Sequence, residues 1–153
     1  MNSLKTFPPI ETLLPHKAPM MLLNECLDAG EDFVVAHCVI GENCRLFRLP
    51  DGRFGSWLLI ELMAQTVGVF AGLKNRDQGN APKIGFLLGT RHFDTNIGFL
   101  NEGDEVVIKA NCIFFGQEGL PSQFQCQAEI KAQSVATANL TVYEPESVEI
   151  WKN

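Results

Sequence analysis

Glu61 is the residue in this sequence whose surroundings point most directly to chemistry. It stands in Trp57-Leu-Leu-Ile-Glu-Leu-Met-Ala-Gln65, with three apolar residues before it and three after. Burial of a carboxylate disfavours its charged form, and a carboxyl group held partly protonated near neutral pH suits proton transfer. Gln65 follows four residues later, so on a helix it shares a face with Glu61 and can hydrogen-bond it or a ligand. The same stripe would also suit a helix face turned to water or to a buried backbone group.

Three histidines could supply a partner base: His16, His37 and His92. His37 and His92 belong to strand-like runs, where a side chain points to either face. His16 lies in Leu14-Pro-His-Lys-Ala-Pro19, and two prolines there stiffen the backbone that would hold its imidazole in place. Ser56 lacks a Gly-x-Ser-x-Gly elbow and no Gly-rich phosphate loop is present, so serine hydrolysis and nucleotide binding have no support. The cysteines at 26, 38, 44, 112 and 126 form no Cys-x-x-Cys pair and have no histidine at metal-ligand spacing, which reads as reduced, buried thiols. No metal, nucleotide or redox cofactor is indicated.

The elements that must position these residues follow from the apolar pattern. A stretch free of proline begins at Ser56, a potential helix cap, and is apolar nearly all round, which predicts a central helix over about 56–74, buried on most sides. Met20–Leu27 and Phe33–Ile40 flank Asp28-Ala29-Gly30-Glu31 and read as a hairpin. Ile84–Phe93, Glu105–Phe115, Gln123–Ala132 and Val135–Tyr143 are four further strands. Two strands, a long helix and four strands predict one α+β domain over 1–153, with an antiparallel sheet curled around the helix. The polar end from Glu144 to Asn153 is expected to fray or dock weakly.

With a formal net charge of -6 and a pI near 5.0, the chain lacks the basic stripe of a nucleic-acid binder. Glu61 and Gln65 interrupt the longest apolar run, which falls short of the ~20 residues of a membrane span. Met1–Pro9 has no apolar stretch of signal-peptide length, so a cytoplasmic location is expected.

Leu14-Pro-His-Lys-Ala-Pro-Met20 followed by Ile60-Glu-Leu-Met-Ala-Gln65 resembles the hot-dog-fold 3-hydroxyacyl-acyl-carrier-protein dehydratases of the FabZ/FabA type, most nearly the arylpolyene-biosynthesis branch. Gly85-Phe-Leu-Leu-Gly89 and Ala138-Asn-Leu-Thr-Val-Tyr143 extend the resemblance over most of the chain. It implies a hot-dog fold, dehydration of a 3-hydroxyacyl thioester to a trans-2-enoyl product, and Glu61 as the helix carboxylate. Backbone amides at the helix start, here Ser56 or Trp57, would polarise the thioester carbonyl, with Gln65 a further contact to substrate.

The position of the usual histidine is Phe47, and Gly55-Ser56 replaces the usual proline-glycine start of the helix. His16 is therefore expected to supply the imidazole from the other end of the site. The departure also opens two other readings: a dehydratase-like subunit that completes an active partner, and an acyl thioesterase on the same fold. The resemblance implies a homodimer, or a heterodimer with a related dehydratase. An acidic acyl-carrier protein would bring phosphopantetheine with the substrate. It would need a local basic patch, for which Arg48 and Arg53, with Arg45, Lys74 and Arg76, are the candidates. Leu59, Met63 and Phe86 are expected to line an apolar acyl tunnel.

Overall fold

The computed structural model describes residues 6–16, 19–80, 83, 85–116 and 119–145. Lys17 and Ala18 of the proline-flanked segment, Ile84, and the C-terminal residues 146–153 lie outside the described residues.

Alternating side chains build the sheet. In β2 (Phe33–Val39) Val34, Ala36 and Cys38 turn inward while their neighbours stay partly exposed. β6 (Glu105–Phe114), β7 (Ser122–Ile130) and β8 (Gln133–Tyr143) repeat the pattern through Ile108, Phe124 and Leu140. With β1 (Glu25–Ala29) and β4 (Phe86–Thr95) they form one six-stranded antiparallel sheet in the order β1-β2-β6-β7-β8-β4. The six strands expected from the sequence are all present. Two more residues pairs, β3 (Phe54–Gly55) and β5 (Phe99–Leu100), make a small second ladder that the sequence pattern did not predict, because two residues carry no periodicity.

Helix α1 (Leu58–Asp77) lies across the sheet's inner face. Leu58, Leu59, Leu62 and Met63 are fully enclosed between helix and sheet, each contributing roughly 1.5–3 kcal/mol by leaving water. An antiparallel sheet wrapped around one long helix is the hot-dog arrangement that the resemblance implied.

The helix starts two residues later than predicted and ends three later. Trp57, not Ser56, stands at the N-cap position and no side chain caps the helix; the Ser56 N–H donates to Gly98 O at 3.1 Å and extends the small β3–β5 ladder. The helix ends in a Schellman turn: Asn80 N–H donates to Asn75 O at 2.7 Å and Gly79 N–H to Arg76 O at 3.0 Å, with Gly79 at φ +77°.

Candidate active site

The site is assembled on one face of α1. Gln65, 1% exposed, is its structural centre. Its Oε1 accepts the Leu22 N–H at 3.0 Å, and its Nε2 donates to Met20 O at 2.7 Å, with a longer 3.5 Å contact to Glu61 Oε1. Leu22 O in turn accepts from Asn43 Nδ2 at 2.7 Å and Cys38 Sγ at 3.3 Å. This explains why β1 begins at Glu25 and not at Met20: the backbone of residues 20–22 is bound to a side chain rather than to a strand. The Gln65 amide thus ties Met20, Leu22 and Glu61 to the helix while its side chain also lines the cavity.

Glu61 is half-buried, not buried as the sequence suggested, because its part of the helix faces a cavity instead of the sheet. That cavity, of about 190 Å³, is lined by His16, Glu61, Ala64, Gln65 and Gly68, with Leu87 and Val142 opposite. His16 reaches it because the preceding Leu13-Leu14 segment is seated in a notch of the helix. A β-carbon on Gly72 would collide with Leu13 O, and one on Gly68 would lie 2.8 Å from Leu14 Cδ2. His16 Nδ1 is shut off from solvent and has no hydrogen-bond partner among the described residues.

The other two histidines are elsewhere. His37 sits on β2 between Glu25 and Glu105, 3.6 Å from each carboxylate. His92 is exposed on β4 with φ +54° and lines a concavity made with Gln125, Asn139 and Thr141. Phe47 packs against the core and does not line the Glu61 cavity. The sequence-predicted pair, His16 and Glu61, is therefore brought together within a single chain, and no other histidine shares that cavity.

Ser56 and Trp57 are not brought into it. Ser56 N–H is spent on Gly98 O, whereas Trp57 N–H, one turn before Glu61, has no partner among the described residues. The Trp57 ring is 52% exposed and folds against Gly55, where a β-carbon would strike it. Leu59 and Met63 are in the core and not on the cavity wall, which is formed instead by the smaller Ala64, Gly68 and Ala71. Phe86 does not line it either; its neighbours Gly85 and Leu87 do.

The basic patch is partly neutralised. Arg53 bonds Asp51 at 2.8 and 2.9 Å and stacks 3.7 Å from the Phe99 ring centre, holding the Asp51 carboxyl below its ordinary range. Arg48 lies 3.4 Å from Glu102 and over Phe54. Lys74 is at the far end of the helix, above Phe70. No group of three His, Cys, Asp or Glu side chains among the described residues is placed to hold a metal. No helix among them is long and apolar enough to cross a membrane.

Sequence reasoning missed Gly68 and Gly72. Their four-residue spacing inside a helix rich in apolar residues was the available signal, since such spacing puts both on one face where another segment can approach closely.

Residues 8–152 match the ApeP-like family, described as the ApeP dehydratase. A 3-hydroxyacyl-[acyl-carrier-protein] dehydratase FabZ of Streptococcus equi subsp. zooepidemicus is 28% identical over 141 residues, covering 86% of this chain and 92% of that protein. Among solved structures, the dehydratase heterocomplex ApeI:P from Xenorhabdus doucetiae matches with a TM-score of 0.88 and 25% identity, over 96% of this chain and 97% of that one. A hypothetical thioesterase protein with coenzyme A from Streptococcus pneumoniae TIGR4, with a TM-score of 0.57 and 16% identity over 78% of this chain and 84% of that one, shares the fold alone. With the family match running through both the His16 segment and the central helix, this chain belongs to the ApeP-like dehydratase family.

Proposed function

We propose that the chain removes water from a 3-hydroxyacyl thioester on an acyl-carrier protein, leaving the trans-2-enoyl product, in fatty-acid-like or arylpolyene biosynthesis, with His16 and Glu61 moving the protons. The observation that carries this reading is the shared cavity, which the His16 and Glu61 side chains line together. The name of the FabZ relative supports the substrate class.

The thioester carbonyl acidifies C2, and the imidazole takes the C2 proton. The C2–H electron pair becomes the C2=C3 bond as the C3–O bond breaks, and the Glu61 carboxyl protonates the departing hydroxyl as water. Gln65 keeps the carboxyl group in place through its 3.5 Å contact. Phosphopantetheine arrives with the substrate, and the reaction belongs in the cytoplasm with the carrier protein. That acidic partner docks on the basic residues that precede α1 in the chain, Arg45, Arg48 and Arg53.

A second reading rests on β4. It ends the sheet, with no strand on its outer side among the described residues, and Leu87 and Leu88 are exposed there, Leu88 by 57%. A long apolar edge is a template for pairing. We infer that it pairs with a related dehydratase subunit, as the ApeI:P structure is itself a heterocomplex, and that the partner covers the cavity wall at Gly85 and Leu87.

The test is incubation of the chain with a 3-hydroxyacyl-acyl-carrier protein, alone and with a second dehydratase-type subunit, following the mass of one water. Loss by the chain alone supports self-sufficient catalysis. Loss only after the second subunit is added supports the completing-subunit reading. Release of free thiol without water loss would overturn both in favour of a thioesterase.

A further inference from the structure

Glu61 stands at the end of a chain of hydrogen bonds that begins outside its cavity. Asn43 lies in the short helical turn Glu42–Phe47, after β2, and is not among the residues that line the cavity. Its Nδ2 donates to Leu22 O at 2.7 Å and reaches Cys38 Sγ at 3.6 Å. The same residue 22 donates its N–H to Gln65 Oε1 at 3.0 Å. Gln65 Nε2 in turn donates to Met20 O at 2.7 Å and lies 3.5 Å from Glu61 Oε1.

This wiring leaves Gln65 one orientation. An amide presents an acceptor on one side and donors on the other, and here Leu22 meets it with an N–H and Met20 with a carbonyl. Exchanging the two ends would set oxygen against oxygen and N–H against N–H on a side chain that is 1% exposed. The orientation that puts Nε2 beside Glu61 therefore depends on where residue 22 points its N–H.

Leu22 is fully buried and held at both ends, its N–H by Gln65 and its carbonyl by Asn43 and by Cys38 Sγ at 3.3 Å. A thiol is a weak donor, so the shorter bond from the Asn43 amide is the main restraint on that carbonyl. Asn24 is tied to β2, its N–H donating to His37 O at 2.8 Å and its Oδ1 accepting the Val39 N–H at 2.7 Å, but these bonds act two residues further along.

We propose that Asn43 is a positioning residue for the reaction. By holding the Leu22 carbonyl it keeps Gln65 in the orientation that steadies the Glu61 carboxyl in the cavity, without touching substrate itself. The inference rests on the dehydratase reading of the cavity and adds to it a residue from a loop outside the site.

The experiment measures kcat and KM for water loss from a 3-hydroxyacyl-acyl-carrier protein, with any second subunit that the unaltered chain requires. The variants are Asn43→Ala and Asn43→Asp, which keeps the shape and removes the donor, each alone and combined with Gln65→Leu. Both single variants lose about tenfold in kcat and keep KM within about twofold, since a displaced carboxyl slows proton transfer without changing how substrate binds. Neither slows Gln65→Leu further, because the two residues act in series. Normal kcat in Asn43→Asp, or losses that multiply in the double variants, overturn the proposal. In parallel, NMR follows the Gln65 side-chain amide in the chain alone. Its signals shift or exchange faster with solvent in both Asn43 variants, and signals identical to those of the unaltered chain overturn the proposal whatever the turnover. If the unaltered chain releases no water even with a second subunit, the dehydratase reading falls and the role in turnover with it, while the Gln65 signals still decide the link from Asn43.

Discussion

Gly72 lies so close beneath the Leu13 carbonyl that a β-carbon would collide with it, and this contact seats the segment carrying His16 on the central helix. Gly72→Ala should therefore cost about 1–3 kcal/mol, as overpacking against backbone does, even though alanine is the better helix former. Urea unfolding measures the loss, and turnover should fall with it because His16 is displaced. Stabilisation by the alanine would show that the notch is not closed in solution.

Gln65→Leu keeps the volume but leaves the buried Leu22 N–H and the Met20 carbonyl without their partner. We expect a loss of about 1–3 kcal/mol in urea unfolding, together with reduced turnover. A variant of full stability and undiminished turnover would mean that the lead-in is held by other contacts.

Leu88→Lys places a charge on the exposed end of the β4 edge. Sedimentation should show weakened pairing with a second subunit, while the stability of the chain itself stays within about 0.5 kcal/mol. Undiminished association would place the partner on another surface.

Burial pushes the Cys26 thiol from its ordinary 9.0 up to about 11, and that of Cys126 up to about 12. Both folded values lie above the unfolded one, so the stabilisation is complete below pH 9.0 and is lost as pH rises through 11 and 12. The urea midpoint should be level up to about pH 9 and decline above it, more shallowly in Cys126→Ala. Equal slopes in the two proteins would contradict the assignment.

The strands were legible because Val34, Ala36 and Cys38, like their counterparts in the later strands, alternate with less buried neighbours, and that period is local. The helix end was equally legible in Gln78-Gly79-Asn80, although the sequence reading stopped at 74. What could not be read was anything decided by a distant segment. Ser56 has the chemistry of a cap, yet it is held in the small ladder with Gly98, far along the chain, and the helix begins beyond it at Leu58. Gln65 has the chemistry of a ligand contact, yet Met20 and Leu22 occupy its amide. Glu61 looked buried because its neighbours in sequence are apolar, but Leu59, Leu62 and Met63 are enclosed in the core while Glu61 lines the cavity with Ala64. His16 was singled out from its rigid setting, whereas Gly68 and Gly72, against which the preceding Leu13-Leu14 segment packs, were not.

The central claim is that His16 and Glu61 together carry the proton transfers of dehydration. Its most direct test is the rate of water loss from a 3-hydroxyacyl-acyl-carrier protein, followed by mass, in His16→Ala and Glu61→Gln, with any second subunit that the unaltered chain requires. Each variant should keep its urea midpoint and lose at least about 100-fold in rate. Undiminished water loss by either one, with the fold intact, would contradict the claim.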